Sequence, residues 1–169
     1  MSNSKAAKSG PLVELRSYLE HSDLAAIRTL VEATKMFSGA EIEIAAELVG
    51  DFLRQGTSSG YRFTVAESDG EVIGYACFGP IPCTISSYDL YWIAVHPSKQ
   101  QCGIGKQLLE DVERRVADNG GTRVYVDTSG RDAYIPTRLF YERMGFIRAA
   151  VLSDFYAPGD AKVIYVKSL

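Results

Sequence analysis

The chain has 169 residues with a formal net charge of −3, and 46% of its residues are hydrophobic against 23% charged. This length fits one domain that can bury a core without disulfides or metals, and the composition is typical of a globular protein. Because no run of Lys and Arg could form a basic face, the sequence argues against a nucleic-acid-binding protein.

The cysteines and the N-terminal residues indicate a compartment and argue against two kinds of segment. Cys77, Cys83 and Cys102 form no CxxC pair and no zinc-type spacing, and their odd number argues against a disulfide framework. We therefore expect a cytoplasmic location and no metal site. Residues 1–10 lack the apolar segment of a signal peptide, and no apolar run is long enough to span a membrane. We predict a flexible tail at residues 1–10 and a single domain at residues 11–169.

The first third of the chain predicts one strand and two helices. Residues 13–18 alternate between apolar and polar, as in a half-buried strand. Ser22 or Asp23 can cap the helix that follows. Apolar residues then recur at helical spacing over residues 24–34 and again over residues 42–53.

The middle of the chain predicts three strands. Residues 61–68 and 71–78 flank an Asp-Gly pair, the sequence signal of a tight antiparallel hairpin. Two prolines within residues 79–83 then break the sheet. Residues 90–95 are almost all apolar or aromatic, which predicts a central strand covered on both faces.

A glycine loop follows that strand. Residues 100–105 read Gln-Gln-Cys-Gly-Ile-Gly, and from Ile104 onward the apolar residues at positions 104, 108, 109, 112 and 116 share one helical face. A helix N-terminus with glycines can admit an anion to its free N–H groups. The loop matches neither GxxxxGK[ST] nor GxGxxG. It is therefore either a plain strand-to-helix turn or a phosphate-binding loop of another kind.

The last third predicts a strand, a helix and a hairpin. Residues 123–127 read as a short strand. A helix begins at Pro136, because proline is tolerated in a first turn, and ends at Gly145. Residues 146–156 and 161–167 predict the closing hairpin.

Two spaced motifs carry a resemblance to a known family. Gln-x-x-Gly-x-Gly at residues 100–105 resembles the coenzyme A pyrophosphate loop of the GNAT superfamily of N-acetyltransferases. Residues 138–146, RLFYERMGF, resemble that family's helix-then-strand segment, in which a tyrosine precedes a Gly-Phe pair. The resemblance covers about residues 12–169. It implies an α+β, three-layer fold: a twisted, mixed, mostly antiparallel sheet of about seven strands with helices on both faces.

The resemblance also implies acetyl-CoA as the donor. The residues whose backbone N–H groups would hold its pyrophosphate are Gln101, Cys102, Gly103, Ile104, Gly105 and Lys106. Gln100 stands at the first motif position, where the family often has an arginine, so the attraction to phosphate would be weaker. The main chain of Ile93, Ala94 and Val95 would bind the pantetheine arm, and an N–H near Ile93 or Ala94 would polarise the thioester carbonyl.

Tyr141 aligns with the family tyrosine that protonates the departing thiolate. A phenol with an unperturbed pKa of about 10 suits that role. The alternative is that Tyr141 packs with Leu139 and Phe140 as a cluster facing the core.

Asp89 is the candidate general base. In a regular strand it shares a side with Tyr91, Ile93 and Val95, where histone-type members of the family place a carboxylate. A β-bulge would change that facing. Asp127 and Asp154 are the alternatives, and an amine can also lose its proton through ordered water.

The chain departs from the family pattern before Tyr141. Tyr134 and Thr137 stand where the family often has asparagine and alanine, which puts the usual asparagine contact to coenzyme A in doubt. Arg131, Arg138 and residues 154–156 could contact the acceptor or the coenzyme instead, or serve only as surface packing.

The predicted activity is acetyl transfer from acetyl-CoA directly to a primary amine within a ternary complex. The acceptor, a small molecule or a peptide, would enter over the first two helices, with residues 35–39 as part of its wall. One alternative is a catalytically silent acyl-CoA-binding regulatory or sensor module; another is an interaction domain that binds no coenzyme. We expect no nucleic-acid or membrane partner. Dimers are frequent in the family, so a homodimer is possible. The resemblance also does not decide whether the acyl group is acetyl or longer.

Overall fold

The computed structural model describes residues 12–169, and the tail predicted at residues 1–10 lies outside the described residues. The strands in this part of the chain are β1 Glu14–Arg16, β2 Arg62–Ser68, β3 Glu71–Pro80, β4 Ser87–Val95, β5 Arg123–Ser129, β6 Ile147–Ala157 and β7 Asp160–Ser168. The α-helices are α1 Asp23–Thr34, α2 Gly39–Gln55, α3 Ile104–Asp118 and α4 Ile135–Arg143. The predicted elements are therefore present in the predicted order.

All seven strands form one sheet in the order β1-β2-β3-β4-β5-β7-β6. Only β4 and β5 pair in parallel, and every other neighbouring pair is antiparallel. This confirms the predicted mixed, mostly antiparallel sheet of about seven strands. The last strand in the chain, β7, lies between β5 and β6 and leaves β6 at the edge.

Helices cover both faces of the sheet. On one face, α1 and α2 bury Ile27, Leu30 and Val49 against the side chains of β2 and β3. On the other, α3 buries Ile104, Leu108, Leu109, Val112 and Val116, the apolar positions read from the sequence. Burying one such side chain contributes roughly 1.5–3 kcal/mol. The two apolar clusters therefore hold the helices to opposite faces, as predicted.

Local signals place the turns. Asp69 and Gly70 have φ angles of 54° and 77°, the left-handed values that a two-residue hairpin turn requires, and Ser68 pairs with Glu71 across the turn. At the start of α2, Ser38 and Glu41 form a reciprocal capping box. These contacts confirm the hairpin and fix the N-terminus of α2. None of the helices within residues 12–169 is both long and apolar enough to cross a bilayer.

The strand β4 differs from the expectation of a strand buried on both faces. Tyr91 is 36% exposed, and Trp92 and Ile93 are only half-buried. The reason is that β5 pairs with β4 only from Ser87 to Asp89, after which the ladder between them stops. The apolar side chains of β4 therefore have two roles. They pack against the helices, and they line an opening in the sheet.

Candidate active site

The cleft opens where β4 and β5 cease to pair. Beyond the last pair, Asp89 with Tyr125, a cavity of about 500 Å³ is lined by β4 from Leu90 to Val95 and by β5 from Val126 to Ser129. The connection between α1 and α2, the segment from Arg131 to Tyr141 that includes most of α4, and the hairpin of β6 and β7 also contribute to the wall. Five separate parts of the chain therefore meet at this opening.

One wall of the cleft offers main-chain groups. Over residues 90–95, β4 pairs with β3 on one side only, so alternate N–H and C=O groups point towards the cleft. Ile93, Ala94 and Val95, the residues predicted to bind the pantetheine arm, all line the cavity. The side-chain amide of Gln100 donates to the carbonyl oxygen of Val95 at 3.2 Å, which ties the glycine loop to the end of this strand.

The glycine loop ends at the N-terminus of α3. Gly103 is the N-cap with a φ of 82°, and no heavy atom would lie within 4 Å of an added Cβ. The first helical hydrogen bond runs from the N–H of Gln107 to the carbonyl of Gly103 at 3.1 Å, so the N–H groups of residues 104–106 have no intrahelical acceptor. Free amides, the positive end of a helix and an open approach form a site suited to phosphate.

Gly105, the second glycine of the loop, has a different role. A Cβ there would lie 3.5 Å from the Phe140 ring and 3.9 Å from Val95, which is ordinary contact. Gly105 therefore lies where α3, α4 and β4 converge and joins the two motifs in space. Gly74 on β3, which the sequence did not single out, allows α3 to approach the sheet, because a Cβ there would lie 3.1–3.2 Å from Leu108 and Ile104 side-chain atoms.

Tyr141 belongs both to an aromatic cluster and to the wall of the cavity. It is 3% exposed and packs against Phe140, Phe146 and Tyr165, with ring centroids 5.5–6.0 Å away. It also lines the cavity. Burial raises the pKa of Tyr141 well above its ordinary value, so the expectation of an unperturbed phenol is wrong. The raised pKa keeps the hydroxyl protonated and also makes it a weaker acid than a free phenol.

Asp89 does not share the side of the strand that a regular alternation predicts. Cys77 pairs with Trp92 and Phe78 with Leu90, so Tyr91 is an extra residue in a β-bulge. Tyr88 and Leu90 pack with the α3 cluster, as do Ile93 and Val95, while Trp92 and Ala94 pack with the α1 and α2 cluster. Asp89 therefore faces the same way as Trp92 and Ala94, and it is not among the residues that line the cavity.

Asp127 is a second carboxylate, close enough to Asp89 to change its pKa. Asp127 lines the cavity and forms an ion pair with Lys162. Burial raises the pKa of Asp89, the charge of Asp127 raises it further, and Lys162 opposes the shift. Asp127 and Lys162 therefore act on the pKa of Asp89 in opposite directions.

The irregular segment before α4 is held in place by polar contacts. The hydroxyl of Tyr134 donates to the carbonyl of Met36 at 3.2 Å, and Arg131 pairs with Asp160 at 3.1 Å. Arg138 donates to the carbonyls of Ser129 and Arg131 at 2.7 and 3.0 Å. Arg131 and Tyr134 line the cavity, whereas Arg138 supports the segment behind them.

The remaining candidates lie apart from the cleft. Asp154 accepts a hydrogen bond from the N–H of Gly159 at 2.7 Å and so supports the last hairpin turn, although its neighbour Tyr156 lines the cavity. Cys77 is buried, and Cys83 and Cys102 are exposed; none of the three is in a disulfide. Across residues 12–169, no group of three or more His, Cys, Asp and Glu side chains is arranged to hold a metal ion.

Sequence reasoning missed several side chains of the acceptor wall. Phe37 and Trp92 pack against each other with ring centroids 4.8 Å apart, and both line the cavity together with Glu41 and Thr128. Trp92 is the only tryptophan of the chain, which is a compositional signal, but its place in an apolar strand resembled ordinary core. Glu41 is also part of the capping box of α2, a local role that does not indicate a place on the cavity wall.

Comparison with known proteins bears on this arrangement. A model of the GNAT acetyltransferase domain matches residues 59–148. No curated protein sequence matches the chain. A crystal structure from Desulfovibrio desulfuricans, assigned to the GNAT family of acetyltransferases, is 44% identical over 93% of this chain and 99% of that chain, with a TM-score of 0.92.

More distant structures share the fold. PaiA N-acetyltransferase from Thermoplasma acidophilum, solved with coenzyme A, has a TM-score of 0.73 and 19% identity over 94% of this chain and 99% of that chain. The ribosomal-protein-S18-alanine N-acetyltransferase of Escherichia coli has a TM-score of 0.74 and 19% identity over 93% and 94% of the two chains. The domain match and the 44% identity establish that this chain belongs to the GNAT family of acetyltransferases and is an acyltransferase.

Proposed function

We propose that this chain transfers the acetyl group of acetyl-CoA directly to a primary amine in a ternary complex. The observation that carries the proposal is the opening between β4 and β5, because it brings the free main chain of β4, Gln100 of the glycine loop and Tyr141 to one cavity. A donor held along β4 would present its thioester to the same space that an acceptor reaches from the other side of the sheet.

The donor would bind mainly to backbone groups. The N–H groups of residues 101–106 would hold the pyrophosphate, and the main chain of Ile93, Ala94 and Val95 would pair with the pantetheine arm as an added strand. Gln100 lacks the charge of the arginine common at its position, and it already donates to Val95. The positive end of α3 would therefore supply most of the attraction to phosphate.

The transfer step forms one bond and breaks another. The amine nitrogen attacks the thioester carbonyl carbon, the carbonyl oxygen becomes an oxyanion, and the C–S bond breaks as the C=O re-forms. An N–H near Ile93 or Ala94 would donate to the oxyanion. Tyr141 would give its proton to the departing thiolate, because its raised pKa keeps it protonated at any physiological pH.

The proton of the attacking amine needs an acceptor. We propose Asp89 as the base, acting through Asp127 or an ordered water, because Asp127 lines the cavity and Asp89 does not. Burial raises the pKa of Asp89 and makes it a stronger base than an exposed carboxylate. Asp127 alone is the simpler assignment to test against it.

The same displacement of Asp89 favours a second candidate function. If neither Asp127, which lines the cavity, nor an ordered water accepts the amine proton, the chain would suit a module that binds acyl-CoA and regulates a partner without turnover. Thiol release in the presence of amines separates the two functions, because a silent module binds the donor and releases no thiol.

Calorimetric titration with acetyl-CoA is the first experiment, with free coenzyme A, dephospho-acetyl-CoA and butyryl-CoA for comparison. Saturable binding followed by amine-dependent thiol release would support the enzyme, and preference for acetyl-CoA over butyryl-CoA would support the acetyl group. A folded sample without any binding would refute both candidate functions. Light scattering on the same sample distinguishes a monomer from a homodimer.

The acceptor class and the compartment also belong to the proposal. We infer that the acceptor is an amine on a small molecule or a peptide, and that the protein works in the cytoplasm. The three unbonded cysteines are consistent with a reducing compartment. Fractionation of the source cells with antibodies against the chain would test that location.

A further inference from the structure

The charged side chains around the cavity are divided unevenly between the two signs. Glu41, Asp127 and Asp160 line it, and Arg131 is the one basic residue among the described residues that line it. Arg131 pairs with Asp160, and Lys162, which lies outside the lining, pairs with Asp127. This charge does not serve the donor, because coenzyme A is itself an anion.

Glu41 is the carboxylate without a cation. It accepts hydrogen bonds from the N–H and the hydroxyl of Ser38, both at 2.7 Å, and within residues 12–169 no basic side chain lies within ion-pair distance of it. A half-buried carboxylate on a cavity wall attracts a positive charge more strongly than one in open water. Glu41 is thus placed to bind a cationic group of a ligand.

Four aromatic side chains line the cavity together with the carboxylates. Phe37 and Trp92 pack against each other, and Tyr134 and Tyr156 come from the segment before α4 and from the last hairpin. Such rings pack on methylene groups and attract cations through their faces. Burial raises the pKa of Tyr156, and the charges of Asp127, Asp160 and Glu41 add to the shift, as expected for a phenol near all three carboxylates.

The shape of the cavity limits the size of its ligand. The hydrogen bond from Tyr134 to the carbonyl of Met36 joins two segments that are 98 residues apart in the chain, and it closes the wall between them. The cavity of about 500 Å³ must also receive the pantetheine arm. A small, narrow acceptor fits this space better than a polypeptide does.

Two buried polar atoms of lining residues have no protein partner. They are the hydroxyl oxygen of Thr128, on a side chain that is 6% exposed, and the indole nitrogen of Trp92. A buried hydroxyl without a partner costs about 1–3 kcal/mol, which a ligand can offset. The hydroxyl of Thr128 can accept a hydrogen bond from an ammonium group.

We propose, resting on the proposed function, that the acceptor is a linear aliphatic diamine or polyamine. One amino group is acetylated beside Asp127, and a second ammonium group binds Glu41, with the methylene chain between the aromatic side chains of Phe37, Trp92 and Tyr156. The carboxylates disfavour an acceptor whose far end is anionic, such as a free amino acid. Glu41 is therefore a specificity residue for the transfer.

Three five-carbon amines test this proposal: 1,5-diaminopentane, pentylamine and 5-aminopentanoic acid. Their far ends are an ammonium group, a methyl group and a carboxylate, respectively. We expect kcat/KM for thiol release to be at least tenfold higher with the diamine than with pentylamine, and lowest with the amino acid. Glu41→Gln should lower the ratio of diamine to pentylamine to below threefold. Glutamine retains the capping box, so the variant should fold as the natural chain does.

Glu43→Gln is the matched control. Glu43 lies on the same helix, pairs with Arg28 and does not line the cavity, so its neutralisation should leave the ratio unchanged. Equal use of diamine and pentylamine, or a Glu41→Gln ratio equal to that of the natural chain, would overturn the proposal.

A binding measurement separates failure of this proposal from failure of acetyl transfer. Calorimetry with protein saturated with coenzyme A should show the diamine binding at least tenfold more tightly than pentylamine, and Glu41→Gln should remove the difference. That result without any thiol release would refute the enzyme and support the diamine site. Equal affinities for the diamine and pentylamine would refute the diamine site, whether or not acetyl transfer occurs.

Discussion

The proposed donor end and the proposed acceptor end of the cleft consist of different kinds of chemical group. The donor end consists of main-chain groups, namely the free edge of β4 and the amides at the start of α3, together with Gly103. The acceptor end consists of side chains such as Phe37, Glu41 and Asp127, which come from separate elements. A site made of backbone groups depends on one local backbone conformation, so it restricts the residue types of a short sequence motif. A site made of side chains can change residue by residue while the fold remains.

The sharpest way to break the donor end is to place a charge at Gly103. We expect Gly103→Glu to weaken acetyl-CoA binding more than a hundredfold in calorimetry, because the carboxylate would lie at the pyrophosphate site. Gly103→Gln carries the same strain at a φ of 82° without the charge, and it should weaken binding about tenfold less than the glutamate. Equal effects of the two variants would mean that shape alone governs the loop.

Removal of the Tyr141 hydroxyl tests the proposed proton transfer to the thiolate, between the donor end and the acceptor end of the cleft. A general acid contributes roughly 10²–10⁴-fold, so Tyr141→Phe should lower kcat by about a hundredfold and change the affinity for acetyl-CoA little. Since burial raises the pKa of Tyr141, the deficit should be constant from neutral to alkaline pH, with no loss of natural activity from phenol ionisation.

Tyr165→Phe provides the control for that experiment. Tyr165 packs against Tyr141 in the same aromatic cluster, but its hydroxyl donates to Glu142 and it does not line the cavity. Its kcat should stay within about twofold of the natural value, because the lost hydrogen bond lies outside the cavity. The loss should lower only the free energy of unfolding, by about 1 kcal/mol. Comparable losses in both variants would assign the Tyr141 effect to packing.

The pH dependence tests the acceptor end. A base must be deprotonated, so kcat/KM should fall as pH decreases through the pKa of Asp89, and burial and Asp127 place that fall above the pH of an ordinary aspartate. Lys162 lowers this pKa, so Lys162→Met should move the fall to higher pH. If the amine proton reaches Asp89 through an ordered water, Asp127→Asn removes a cause of the raised pKa of Asp89 and should move the fall to lower pH, whereas loss of activity would assign the base role to Asp127. Shifts in the same direction, or none, would exclude Asp89 as the base.

Much of the fold could be read from the sequence because its signals are local. The helical face of α3, the Asp69–Gly70 turn and the loop at residues 100–105 each depend on neighbours in the chain, and the structure contains all three. The facing of Asp89 could not be read, because it depends on the β-bulge at Tyr91. A single extra residue there reverses the alternation, and the letters of an apolar strand do not mark it.

The acceptor wall was harder still to read. Glu41 serves a capping box and Trp92 fits an apolar strand, so each residue had a sufficient local explanation. Their common location follows from the separation of β4 and β5, a tertiary feature without a sequence signal. The pKa of Tyr141 likewise depends on the burial that distant elements produce.

Gly74 offers the mildest test, since it concerns how the sheet supports the donor end. A Cβ at Gly74 would lie 3.1 Å from the side chain of Leu108, 3.2 Å from that of Ile104 and 3.2 Å from the carbonyl oxygen of Ala94. Gly74→Ala should therefore push the start of α3 outwards, lower the free energy of unfolding by roughly 1–3 kcal/mol and weaken acetyl-CoA binding severalfold. Gly39→Ala, where nothing lies within 4 Å of an added Cβ, should leave acetyl-CoA affinity unchanged and raise the free energy of unfolding by at most about 1 kcal/mol, because Gly39 begins α2 and alanine favours a helix. A destabilised Gly74→Ala variant with normal coenzyme affinity would show that the loop holds the donor independently of the sheet beneath it.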